Sequence, residues 1–251
     1  MEKIKLAFLL TFLAGISTML GTILIFFKIK KERKIITASL AFASGVMICV
    51  SLIDLIPESL SLLSNYFYKF PMIVLSLIFL VIGVLLSMGI DHTFNKTKIN
   101  KNNPLYKIGL ISCIAIILHN IPEGIATFMA TNTNAKLGIT LAIAIALHNI
   151  PEGISISIPI YYATKKKYKA LIYTFISGIS ELIGAFITYL FLSSFINNMI
   201  MGFLLSMIAG IMLQISIYEL LPTSFSYKQK KTTISYLIIG ILFMLISHFI
   251  F

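Results

Sequence analysis

Eight apolar runs, each long enough to cross a bilayer, follow one another along the chain, and no other feature narrows the possible folds so far. A helix needs about 20 residues to traverse the hydrocarbon, and the runs fall at about 6–27, 35–57, 71–91, 107–130, 137–161, 170–193, 199–222 and 232–250. In lipid every backbone donor and acceptor must be satisfied internally, which leaves helices or closed barrels. Runs of this length are read as helices, so the expectation is an all-α membrane protein. Composition agrees: 58% of residues are hydrophobic and 12% charged, with a mean hydropathy of +0.98, about half the charge of a soluble domain. The first run follows Lys3 and Lys5 as a signal peptide would. It is too long for one, lacks a small-residue cleavage site and is followed by a basic cluster, so it counts as a span.

The net charge of +11 raises nucleic acid as a partner. The basic residues are scattered in short clusters between apolar runs, with no basic face on a soluble domain, so nucleic acid is excluded and the lipid bilayer takes its place. Their distribution orients the chain. The loops after spans one, three, five and seven hold Lys28, Lys30, Lys31, Arg33 and Lys34, then Lys96, Lys98, Lys101 and Lys107, then Lys165, Lys166, Lys167 and Lys169, then Lys228, Lys230 and Lys231. Of the 20 Lys and Arg, the other side has only Lys3, Lys5, Lys69 and Lys136. The alternation predicts a multi-pass protein of the cell inner (plasma) membrane with both termini outside the cytoplasm. Cys49 and Cys113 lie within apolar runs without CxxC spacing, so they are expected as small core residues, not as a disulfide or thiolate ligands.

The acidic residues are distributed in the opposite way. Of the 9 Asp and Glu, only Glu2 and Glu32 lie in a terminus or loop, whereas Asp54, Glu58, Asp91, Glu123, Glu152, Glu181 and Glu219 lie inside spans or at their ends. Carboxylates in a bilayer usually mark an ion path. Glu123, Glu152 and Glu181 fall near the middle of their spans. Asp54 and Glu58 close the second span at its outer side, while Asp91 and Glu219 sit near the cytoplasmic ends of the third and seventh. Together they predict a ladder from one face to the other.

One hexapeptide occurs twice at the middle of that ladder. His119-Asn120-Ile121-Pro122-Glu123-Gly124 returns as His148-Asn149-Ile150-Pro151-Glu152-Gly153, each copy inside an apolar run. On a helix, residues four apart lie about 40° apart and residues three apart about 60° apart, so His119, Asn120 and Glu123 share one face, as do His148, Asn149 and Glu152. Pro122 and Pro151 cannot donate to the carbonyls of Leu118 and Leu147, and each helix is expected to bend or open there. The loop between spans four and five is short enough to make them antiparallel neighbours, so the two faces meet at the midplane with Glu181 able to close the site.

A lone buried His or Asn would be read as an interhelical hydrogen bond; a duplicated His-Asn-Glu face points to a cation. Imidazole with carboxylate suits zinc and neighbouring first-row divalent ions, and the absence of thiolate or thioether argues against copper(I). Met129 and the other methionines follow no ligand spacing and are read as packing. Carboxylates clustered in lipid cannot all remain charged, so the empty site should hold protons that a divalent cation displaces.

A second repeat links the ends of the chain. Asp54-Leu55-Ile56-Pro57-Glu58-Ser59 ends span two and Glu219-Leu220-Leu221-Pro222-Thr223-Ser224 ends span seven, in spans that run in opposite directions. That predicts inverted repeats, with spans one to three related to six to eight and spans four and five at the centre.

The twin motif resembles the HNxPEG pair of the ZIP (Zrt-, Irt-like protein) metal transporters, and the whole chain is similar to the bacterial ZupT branch of that family. The resemblance implies an eight-helix ZIP-type bundle, a homodimer, and import of Zn2+, with Fe2+, Mn2+ or Cd2+ as further substrates, through a binuclear centre. It implies that His119, Glu123, His148 and Glu152 hold one metal, and that Asn120, Asn149 and Glu181 hold a second with Glu123 and Glu152 bridging. Ser177-Gly178-Ile179-Ser180-Glu181-Leu182 follows the family pattern in span six except that Leu182 replaces a proline. His92 beside Asp91 resembles an exit-side motif, although a solvated helix end fits as well; the loop after it is poor in His. His248, alone near the end of span eight, is expected to be structural.

A competing function is an intramembrane metal-dependent hydrolase. His-x-x-x-Glu with an internal proline differs from the HExxH of zinc proteases, and no separate general base with a substrate cleft is visible, so transport is the preferred reading.

Overall fold

The computed structural model describes residues 2–27, 31–95, 103–192 and 197–250. It contains eight helices long and apolar enough to span a membrane: α1 Glu2–Phe26, α2 Glu32–Leu63, α3 Lys69–Thr93, α4 Pro104–Thr133, α5 Ala135–Thr164, α6 Lys167–Phe191, α7 Asn198–Ser226 and α8 Lys230–Ile250. All eight sequence runs are found, and no strand occurs among the described residues. Lys28, Lys30, Lys96, Lys98 and Lys101, which entered the orientation argument, lie outside the described residues.

Side-chain caps set several helix starts. The Asn103 carbonyl oxygen accepts from the Tyr106 N–H at 3.2 Å, and that of Asn197 accepts from Ile200 at 3.0 Å. Asn134 alone separates α4 from α5, and its side chain accepts from Lys136 N–H at 2.9 Å. Each cap satisfies a donor that the first turn leaves without a helical partner. The hairpin is therefore as tight as its loop required. At the other end of α5, Lys165 adopts a left-handed φ of 57° and closes the helix.

Prolines shape the helices differently from the expectation. α4 and α5 remain α-helical through Pro122 and Pro151, so each proline forfeits one hydrogen bond without opening the helix. The widened turns lie elsewhere: one, Thr188–Leu192, is at the end of α6 with no proline near it, and two are the π-helical segments at Val50–Leu55 and Ser216–Leu220. The last two each come just before a proline, Pro57 or Pro222, and widening the turn relieves the clash with the preceding carbonyls. The Asp/Glu-x-x-Pro motif thus marks a π turn and not a helix end: α2 continues to Leu63 and α7 to Ser226.

Packing follows an inverted repeat. α2 pairs with α8 and α3 with α7, while α1, α4, α5 and α6 form the central bundle. The repeat extends to single atoms: Ser59 Oγ donates to the Gly202 carbonyl at 2.7 Å, and Ser224 Oγ, its counterpart in α7, donates to the Thr37 carbonyl at 2.9 Å. A Cβ on Gly45 would strike the Leu237 carbonyl of α8, and one on the matching Gly210 would strike the Leu80 carbonyl of α3. Each helix pair therefore packs backbone to backbone, as small residues permit in membrane bundles. Burial sorts the helices: 78% of the α2 core window is buried but only 17% of α3 and 22% of α8, which places the last two at the lipid boundary.

Candidate metal centre

The antiparallel α4–α5 hairpin brings the two motif faces together. Glu123 Oε1 lies 3.1 Å from His119 Nε2 and 2.9 Å from His148 Nε2, and Glu152 Oε1 lies 3.2 Å from His119 Nε2. The two imidazole centroids are 6.3 Å apart, and ligand atoms of His119, His148 and Glu152 all lie within 4.8 Å of one another. α6 delivers Glu181, whose Oε1 accepts a hydrogen bond from Asn149 Nδ2. All seven expected central residues, His119, Asn120, Glu123, His148, Asn149, Glu152 and Glu181, are buried.

The two asparagines are oriented by neighbouring backbone. Asn120 Nδ2 donates to the Ser177 carbonyl at 3.0 Å, and Asn149 Nδ2 donates to the Ala14 carbonyl at 2.9 Å. These are counterparts in the repeat, α6 serving one asparagine and α1 the other. Since the amide nitrogens are committed to carbonyls, each Oδ1 is left as an acceptor. Neither Oδ1 has a hydrogen-bond partner among the described residues, nor do Glu123 Oε2, Glu152 Oε2 or Glu181 Oε2. Buried acceptors without partners each cost about 1–3 kcal/mol, so a convergence of them on two imidazoles needs a ligand. The donors present are nitrogen and oxygen only, matching a borderline divalent cation. α1 contributes no acid: Thr18, the counterpart of Glu181, donates its hydroxyl to the Gly15 carbonyl at 2.7 Å.

The outlying residues form two separate groups. Asp54 Oδ1 lies 2.5 Å from His248 Nδ1, which ties α2 to the end of α8 and gives His248, expected to be structural, a partner. Glu58 is exposed beyond it. At the opposite face Lys107 Nζ lies 2.5 Å from Asp91 Oδ1, and Glu219 is within hydrogen-bonding reach of Asp91 and close to Lys107. Lys107 is thus not a loop residue: α4 starts at Pro104 and buries it to 8% exposure. His92 is exposed past Asp91. The expected ladder thus comprises a buried middle and one group of residues at each end. Cys49 and Cys113 are buried free thiols, as expected.

Sequence reasoning missed the Ala14 and Ser177 carbonyls, which carry no side-chain signal, and the burial of Lys107. The small-residue stretches Gly15-Ile16-Ser17 and Gly178-Ile179-Ser180 were the available hint. A Cβ on Gly15 would strike the Gly178 carbonyl and the reverse holds too, so α1 and α6 touch directly behind the site.

Eight membrane-length helices around a sealed cluster of imidazole, carboxylate and amide oxygen define a polytopic membrane protein with a cation-type donor set at its centre. Comparison with known proteins makes this definite. Residues 98–248 match the family model described as ZIP Zinc transporter, and the chain belongs to the ZIP family. It is 38% identical to the zinc transporter ZupT of Clostridium perfringens over 100% of this chain and 98% of that protein. It is 39% identical to the ZupT of Streptococcus mutans over 98% and 97%, and 36% identical to that of Campylobacter jejuni over 98% and 96%. These relatives are named as transporters, and the hydrolase alternative has no support.

Proposed function

We propose that this chain imports zinc into the cytoplasm through the cluster of α4, α5 and α6. The observation that carries the reading is the convergence of buried oxygen acceptors without hydrogen-bond partners on two imidazoles. His119, His148, Glu123 and Glu152 hold one ion; Asn120, Asn149 and Glu181 hold a second, with Glu123 and Glu152 between the two. Glu123 already sits between both imidazoles, so a dication arriving there takes the place of a shared proton, and the carboxylates offset the cost of stripping its hydration. Fe2+, Mn2+ and Cd2+ are compatible with the same donors.

Asp54, Glu58 and His248 collect the ion at one face, and Asp91, His92 and Glu219 lie on its way out at the other. The basic clusters put the second face in the cytoplasm, with both termini outside and the chain in the inner membrane. The whole chain acts as one polytopic membrane domain and pairs into a homodimer, as its family resemblance implies. Uptake of radioactive zinc into proteoliposomes tests the site: Glu123→Ala and Glu152→Ala abolish uptake. Normal uptake by both folded variants would remove the site assignment.

A further inference from the structure

The two ends of the path are built differently, although the repeat makes them counterparts. Asp54 and Glu219 occupy matching positions within their π turns. Asp54 pairs with His248 inside its own helix pair, α2 with α8. Glu219 and Asp91 lie in the matching pair, α7 with α3, but there the 8%-exposed Lys107 of α4 reaches across from the central bundle. Lys136, which precedes its own motif by the same spacing as Lys107, is exposed and has no ion pair among the described residues. Both ion pairs that tie the α4–α5 hairpin to the flanking helices, Lys107–Asp91 and Lys165–Glu32, lie at the basic face. An open cleft of about 300 Å³ lies between the start of α4 and the end of α7, lined by Pro104 and Ile108 of α4, by Pro222 of α7 and by Tyr227 just after it.

We infer that Lys107 is a tethered cation at the exit: its ammonium pairs with Asp91 beside Glu219, links α4 to the α3–α7 pair, and must be displaced by each departing dication. A buried ammonium needs a paired carboxylate, and a carboxylate pair left without it would retain metal instead of passing it on. Lys107 therefore keeps the last carboxylates of the path from trapping the cargo. The inference rests on the proposed import path.

Two measurements on the full-length protein test it. In equilibrium dialysis with zinc, Lys107→Met binds roughly one more ion per chain than the wild type, with at least about tenfold tighter retention of that ion, while Lys107→Arg matches the wild type. In the wild type, saturating zinc raises labelling of the Lys107 amine by a small amine-reactive reagent several-fold and leaves Lys136 labelling unchanged. Zinc-independent labelling of Lys107 overturns the inference, as does equal zinc content in a folded Lys107→Met. The Lys107→Met increment is measured again with Glu123→Ala and Glu152→Ala. Its persistence with central binding lost sustains the role of Lys107, whereas central binding that survives those two changes overturns the proposed centre alone.

Discussion

A methyl group at Gly124 tests whether the site depends on how closely α4 approaches α6. Gly124 ends the first motif, and a Cβ built on it meets the Glu181 carbonyl, with the carbonyl carbon at 2.6 Å and Cα at 2.9 Å. These are backbone atoms of a packed helix, so no side chain can swing aside. Carrying the carbon from 2.6 Å to the 3.4 Å of ordinary contact already requires the helices to part by about 0.8 Å, and the carbonyl oxygen, which lies nearer still, requires more. Glu181 would move with α6, away from Glu123 and from the Asn120 oxygen on α4. Metal–ligand distances tolerate about 0.2 Å, and a misplacement of about 1 Å at a reacting centre can cost about 100-fold. Gly124→Ala is therefore expected to lower zinc uptake by one to two orders of magnitude and to cost about 1–3 kcal/mol through overpacking. The control is Gly89→Ala on α3, where a Cβ meets nothing within 4 Å. There a helix gains about 0.5–1 kcal/mol from losing a glycine, and uptake is unchanged. The assay is initial-rate uptake in proteoliposomes, with detergent thermal melts alongside. Wild-type uptake by a folded Gly124→Ala would refute the claim that backbone contact positions Glu181.

Other outcomes follow from the same geometry. Zinc binding weakens as pH falls, by about tenfold per pH unit for each proton displaced, because the cation needs the lone pairs that protons hold; a dissociation constant flat across the acidic range contradicts proton displacement. Asn149→Ala removes the donor to both Ala14 and Glu181, whereas Asn120→Ala strips only Ser177 of its amide partner. The first should thus be the more destabilising, each orphaned acceptor costing about 1–3 kcal/mol in chemical or thermal denaturation. Glu32→Gln breaks the Lys165 pair, half exposed on both sides, and its melt should shift by no more than about 0.5 kcal/mol of stability, with uptake retained.

Much of this was legible in the residues because a bilayer enforces simple rules. Hydrocarbon thickness dictates run length, so all eight helices are visible in the sequence, and the duplicated hexapeptide marked the residues that the fold buries together and the face each helix turns inward. The related acidic-x-x-Pro stretches showed the inverted repeat, but their proline looked like a stop where the structure has a π turn and a continuing helix. What stayed hidden depends on contacts between distant parts of the chain. Lys107 has the local signature of a loop lysine, and its burial is explained by partners distant in sequence, Asp91 on α3 among them. His248 looked solitary because Asp54 is far away in sequence. The Ala14 and Ser177 carbonyls that aim the asparagines belong to backbone, whose role no residue identity records.

The most direct measurement is X-ray absorption at the zinc edge on the loaded, full-length protein. Imidazole scattering with nitrogen and oxygen ligands at about 2.0–2.2 Å, lost when His119 and His148 are both replaced by Ala, is the expected result. A spectrum dominated by sulfur at about 2.3 Å, or an imidazole signature that survives the double replacement, would contradict a centre built from the two motifs.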